Sequence, residues 1–192
     1  MRQIRISDMT MKQAAEGFSL SFKEKIELSK LLDRLGIDVI ELEGIKNARI
    51  DSLQIKSIAA AVNNSGIAVP VELNKESVEK TWAALREAKK PRLMVEAPAS
   101  SVQIEYLFHK KPEAMLDAIS QTVAACRKLC SDVEFVAGDA TRSEGDFLAR
   151  AIDTAISAGA TTVTLCDTAG VMMPWEFAEL ISYVKENVSA KD

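Results

Sequence analysis

The stretch VEFVAGDATRSEGDFLARAIDTAISAGATTVTLCDTAG, residues 133–170, decides the fold. It opens on the apolar run Val133-Glu134-Phe135-Val136-Ala137, the pattern of a strand buried on both faces. Polar residues follow from Gly138 to Ser143. Phe147, Leu148, Ala151, Ile152, Ala155 and Ile156 then recur at helical spacing until Gly159 ends the pattern. Ser143 is the expected cap of that helix. Thr161 to Cys166 is a second β-branched run, closed by Asp167-Thr168-Ala169-Gly170. A helix between two strands is a crossover connection, so the strands run parallel.

The same cycle repeats on the N-terminal side. Ile4 to Asp8 is strand-like, and Phe22 to Leu35 is a helix with Ser21 and Glu24 as a capping box and Gly36 as its stop. Ile37 to Leu42 is a strand, Ser52 to Asn63 a helix stopped by Gly66, and Ile67 to Leu73 a strand weakened by Pro70. Glu76 to Lys89 is helical, Arg92 to Ala97 a strand, and Pro112 to Leu129 a long amphipathic helix. Beyond the opening stretch, Pro174 starts a last helix to about Asn187. Six βα units result, in one domain over residues 1–192. Polar residues cluster just after the strands: Asp8, Glu41, Glu72, Glu96, Asp139 and Asp167. In a parallel α/β sheet those ends lie on one side, where sites form. A closed eight-unit barrel takes roughly 250 residues. Six units in 192 residues therefore fit either an open sheet or a barrel that stops before its seventh strand.

Composition narrows the function. Lys and Arg total 24 against 28 Asp and Glu, a net charge of −4 without a basic patch, which argues against a nucleic-acid partner. Hydrophobic residues at 47% and charged ones at 27% are ordinary for a globular protein. No apolar run reaches the roughly 18–20 residues that span a membrane, and no secretory pattern opens the chain. Three cysteines fit reduced thiols, and the expected location is the cytoplasm. Cys126 and Cys130 share a helix face without enough neighbouring ligands for a metal, and Cys166 ends a strand. The single histidine, His109, is expected to be exposed near a helix start. Phosphate-loop, dinucleotide and nucleophile-elbow motifs are absent. What remains are the strand-end groups. Asp8 to Gln13 brings together a carboxylate, a hydroxyl, an ammonium and an amide. Gly138 to Ser143 offers Asp139, Thr141 and Arg142 ahead of a helix, a geometry suited either to an anionic ligand or to a structural ion pair.

These residues resemble the family of 2-isopropylmalate, homocitrate and citramalate synthases, which also includes 3-hydroxy-3-methylglutaryl-CoA lyase. The resemblance is carried by Ile4 to Lys12, Gly17 to Lys25, Gly36 to Glu41, Ser100 to Tyr106, Asp139-Ala140-Thr141-Arg142-Ser143 and Asp167-Thr168-Ala169-Gly170. It implies a parallel (β/α) TIM-type barrel, here incomplete at six of eight units, and a divalent metal, magnesium or manganese. The implied reaction is a Claisen-type condensation of an acyl-CoA with a 2-oxo acid, followed by thioester hydrolysis. Carried onto this sequence, it makes Lys12, Glu41 and Arg142 catalytic and Asp139, Thr141, Thr168 and Gln103 substrate-binding. Gln13 stands at a metal-ligand position.

The sequence departs from the family pattern at several of these places. Lys12-Gln13 replaces an Arg-Asp pair, Gln103 a histidine, Ala99 a threonine, and Gly138 an acid. A neutral amide at Gln13 is a poor ligand for a hard cation. A second expectation is therefore a non-catalytic relative that binds ligands or assembles with partners. A Schiff-base role for Lys12 would need an apolar site that lowers its pKa. Six units alone would expose strand edges, so the chain is expected to self-associate or to take a barrel-completing partner.

Overall fold

The computed structural model describes residues 4–12 and 19–189. Its elements are β1 (Ser7–Asp8), α1 (Phe22–Leu35), β2 (Val39–Glu41), α2 (Ala48–Ala61), β3 (Gly66–Val71), α3 (Lys75–Leu85) and β4 (Pro91–Pro98). They continue with α4 (Ser101–Tyr106), α5 (Pro112–Leu129), β5 (Val133–Gly138), α6 (Gly145–Ala158), β6 (Thr162–Leu165) and α7 (Pro174–Asn187). Sheet order follows chain order, β1 to β6. The pairs are parallel, with Ser7 opposite Val39, Ile40 opposite Ile67, and Phe135 opposite Val163. An open doubly wound sheet reverses its strand order at a switch point, whereas a barrel winds in one direction. The unbroken order identifies a TIM-type barrel topology of which six βα units are present.

Two compact units divide the described residues. One runs through Val71 and takes in Glu76–Leu93, and the other comprises Glu72–Lys75 and the chain from Met94 onward. In the first, α1 starts where the Ser21 hydroxyl accepts from the Glu24 N–H (3.3 Å) and the Glu24 carboxylate accepts from the Ser21 N–H (2.8 Å). Gly36 ends it in left-handed backbone, φ +85°. Ile40, Ile55, Ile58, Ile67, Val69 and Leu85 form its core, each 2% exposed or less. Full burial of one such side chain contributes roughly 1.5–3 kcal/mol. In the second unit Met94, Met115, Ile119, Val123, Phe135, Leu148 and Ile152 do the same, with α5 and α6 packed over the strands.

Several boundaries differ from expectation. β1 is only two residues long, and Ile4 and Ile6 stay exposed at 85% and 57%. Helix α2 starts at Ala48, because the Asn47 side chain accepts from the N–H groups of Arg49 and Ile50 (3.1 Å each). It ends at Ala61, so Gly66 opens β3 and does not stop the helix. Asn63, Asn64 and Ser65 leave the helix to give their N–H groups to buried Asp33, at 3.0, 2.8 and 2.7 Å. Ser143 does not cap α6: its hydroxyl donates to the Ala140 carbonyl (2.6 Å), and Glu144 takes the cap position without a side-chain bond. The segment after β4 forms the short helix α4, because the Ser100 hydroxyl caps it at the Gln103 N–H (3.4 Å). Pro70 lies within β3, and β2 explains why this is tolerated. The Ala68 carbonyl accepts from Leu42, so Ala68 and, two residues on, Pro70 face the β2 side, where β2 has already ended at Glu41.

Candidate functional site

In the first unit the ends of β1 and β2 carry the polar groups. Glu41, the last residue of β2, is 5% exposed. The Ser7 hydroxyl donates to its Oε1 (2.7 Å) and the Lys12 ammonium to its Oε2 (3.3 Å). Lys12 and Glu41 thus form an ion pair whose side chains are 18% and 7% exposed. Lys12 lies against a carboxylate, not in the apolar site that a Schiff-base nucleophile needs. Asp8 folds back on its own turn, accepting from the Thr10 N–H and hydroxyl at 3.1 Å each. Gln13 lies outside the described residues.

In the second unit three strand ends converge on Asp139. This residue follows β5 in left-handed backbone, φ +56°, and is fully buried. Asp tolerates that conformation better than most non-glycine residues. Arg142 reaches back from the single 3-10 turn Ala140–Arg142 and clamps it with two bonds, Nε to Oδ1 at 2.8 Å and Nη2 to Oδ2 at 2.7 Å. The Ser100 hydroxyl donates to Oδ2 at 2.5 Å from the start of α4. The Asp139 N–H in turn donates to the Thr168 hydroxyl (2.9 Å) beyond β6. Nearby, the Thr141 hydroxyl donates to Asp167 Oδ1 (2.7 Å), and the Met172 N–H donates to Oδ2 (3.0 Å).

The bidentate Arg142 bond holds the Asp139 carboxyl below the usual carboxylate range, against burial that works to raise it, and the Ser100 hydroxyl adds to the lowering. The same pairing pushes Arg142 further up. The Thr141 hydroxyl, then the Met172 N–H, hold Asp167 low. Asp139 and Asp167 therefore stay ionised at neutral pH. The Arg142 side chain is 48% exposed, so its outer edge faces solvent while the inner edge is held. The Thr168 hydroxyl accepts from Asp139 and keeps its own proton to donate.

The structure thus brings Asp139, Arg142 and Thr168 together, and Lys12 with Glu41. Thr141 is tied to Asp167, and Gln103 is half-buried in the first turn of α4. Two members were missed from sequence, Ser7 and Ser100. Ser100 carried a signal in its place before a helical turn, whereas Ser7 carried none, because a strand serine has no local partner to announce it. His109 is exposed, at φ +51°. Cys126 and Cys130 are core residues at 0% and 3%, and burial pushes the Cys126 thiol up to about 12.

The strand-end carboxylates also bear on a divalent metal. Among the described residues no three His, Cys, Asp or Glu side chains converge on a point that could hold one. Glu41 is taken by Ser7 and Lys12, Asp139 by Arg142 and Ser100, and Asp167 by Thr141 and Met172. These residues do not fit a resident cation.

A TIM-type barrel topology with polar groups at the carboxyl ends of its strands defines the class. Residues 3–192 match the HMGL-like family, and the chain belongs to it. A 2-isopropylmalate synthase of Caulobacter sp. (strain K31) is 38% identical over 97% of this chain and 36% of its own length. That of Pyrococcus abyssi is 35% identical over 98% of this chain and 39% of its own. The chain therefore spans little more than a third of these curated relatives. Among solved structures, the HMG-CoA lyase from Brucella melitensis superposes with a TM-score of 0.77 at 16% identity, over 98% of this chain and 70% of that one. At that identity the likeness shows the fold. No helix among the described residues is long and apolar enough to cross a membrane.

Proposed function

We propose that this chain supplies the 2-oxo-acid-binding part of a 2-isopropylmalate-synthase-like acyltransferase, within a single barrel domain and in the cytoplasm. The supporting observation is that one buried residue, Asp139, holds both the half-exposed guanidinium of Arg142 through its carboxylate and the donor-competent hydroxyl of Thr168 through its N–H. A planar guanidinium edge and a hydroxyl suit the carboxylate of a small organic acid. In the proposed reaction a general base takes a proton from the methyl group of acetyl-CoA, the carbanion attacks the oxo carbon of the acid, and the alkoxide formed there takes up a proton. Water then cleaves the thioester and releases CoA. Within the first unit Lys12, held by Glu41 and Ser7, is a cation of the kind that steadies an enolate oxygen. Arg142 and Thr168 fix the acid, Thr141 orders the adjoining loop through Asp167, and Gln103 adds an amide at the start of α4. No step is assigned to a metal.

The test is release of free CoA thiol from acetyl-CoA in the presence of a panel of 2-oxo acids. The expected result is acid-dependent release that Arg142→Ala reduces about a hundredfold or more, the effect of losing one transition-state donor. Release that is independent of the acid and unchanged by Arg142→Ala would overturn this reading. A second reading, a ligand-binding or assembly module without catalysis, is favoured by the commitment of Glu41, Asp139 and Asp167 to protein partners. It keeps acid binding and removes thiol release. Under either reading the partners are small acids, with self-association or a barrel-completing chain proposed from the one-sided pairing of β6.

A further inference from the structure

We propose that Asp139 is a positioning residue that never touches ligand and that, with Ser100 as its second support, aims Arg142 and Thr168 at an organic acid. The inference rests on the functional reading above. Asp139 is 0% exposed, so no ligand reaches its oxygens. Its contacts nevertheless extend to all three surrounding connections: Ser100 after β4, Arg142 after β5 and Thr168 after β6. Two of these contacts constrain donors that the functional reading assigns to the acid. The bidentate bond uses one edge of the Arg142 guanidinium and fixes the plane of the other. The Asp139 N–H occupies an acceptor site of the Thr168 hydroxyl, which biases that hydroxyl to donate outward. The left-handed backbone at φ +56° makes both contacts available from one residue, because it turns the N–H toward β6 while the carboxylate faces Ser100 and Arg142. Such backbone persists where the surroundings over-determine it. Ser100 is also 0% exposed, and its hydroxyl both caps α4 and donates to Oδ2, so it locks the carboxylate to the next loop.

The experiment measures pyruvate affinity by titration calorimetry on the wild-type chain and on Asp139→Asn, Ser100→Ala, Arg142→Ala and the Asp139→Asn/Arg142→Ala pair. Asparagine keeps the left-handed preference and the volume while removing the charge. The expected result is an approximately tenfold or greater loss of affinity in Asp139→Asn, with no further loss when it is combined with Arg142→Ala. Ser100→Ala, which leaves the backbone turn alone, is expected to lose about threefold and decides the matter should Asp139→Asn fail to fold. Wild-type affinity in the folded Asp139→Asn and Ser100→Ala variants, or additive losses in the pair, would overturn the proposal. A wild-type chain that binds no 2-oxo acid would overturn the functional reading instead. The positioning claim is then decided by the Arg142 Nε–H resonance in 15N-labelled protein. A dispersed signal that collapses to the position of exposed arginines in Asp139→Asn or Ser100→Ala supports it, and an unchanged signal contradicts it.

Discussion

The Asp33 carboxylate shows what one buried charge does when the backbone answers it. It is 7% exposed, and burial works to raise its pKa. The N–H groups of Ser65, Asn63 and Asn64 overcome that and hold it at about 2, against an ordinary 3.8. A folded-state pKa below the unfolded one gives stability that is complete above about pH 3.8 and is lost as pH falls through about 2. The expected size is about 2 kcal/mol. Chemical denaturation of wild type and Asp33→Asn at pH 6 and pH 2 should therefore show most of that gap closing at the lower pH. A gap that stays constant would show that the backbone bonds do not depend on the charge. The Lys12–Glu41 pair poses the complementary case. With Glu41 nearly buried, Lys12→Met leaves a carboxylate held by Ser7 alone, and a loss of about 3–5 kcal/mol is expected in urea unfolding. A loss below about 1 kcal/mol would place the pair in solvent.

Elements that carry their own punctuation were legible, and those defined by distant partners were not. Helices α1 and α5 fall on the expected residues because the Ser21–Glu24 box, Gly36 and Pro112 are local signals. The start and end of α2 were missed because Asn47 and the Asn63–Ser65 turn take their meaning from a cap and from Asp33, thirty or so residues away. The site divides the same way. Asp139, Thr141, Arg142 and Thr168 stood out as one chemically dense pair of strand ends, whereas in the first unit Ser7 joins Lys12 only through Glu41 across the sheet. Two helix-ending glycines give a test at this scale. Gly36 (φ +85°) has open space around an added Cβ, whereas at Gly159 (φ +111°) that atom would meet Arg127 Cβ at 3.2 Å and Cγ at 2.6 Å. Gly36→Ala should cost about 1–2 kcal/mol for the left-handed backbone alone, and Gly159→Ala more. Equal losses in thermal unfolding would show that the Arg127 stem yields freely.

For the molecule, the decisive feature is a singly wound order of six parallel strands whose last member, among the described residues, pairs on one side only. All four residues of β6 are half-exposed, α7 buries none of its residues, and Val171, Met173 and Trp175 are 60%, 52% and 62% exposed. Exposed apolar side chains of this size favour association. Sedimentation equilibrium should show a mass that rises with concentration, and a constant monomer mass would argue against it. At the site proposed in the second unit, Arg142 and Thr168 would hold the carboxylate of a 2-oxo acid by themselves, since Asp139 and Asp167 are already committed to protein partners. The most direct measurement is a titration of 15N-labelled chain with pyruvate, with and without magnesium, followed at the Arg142 Nε–H and the Thr168 amide. Saturable shifts at both signals, the same in either condition, are expected. Shifts that appear only with magnesium, or none at all, would contradict it.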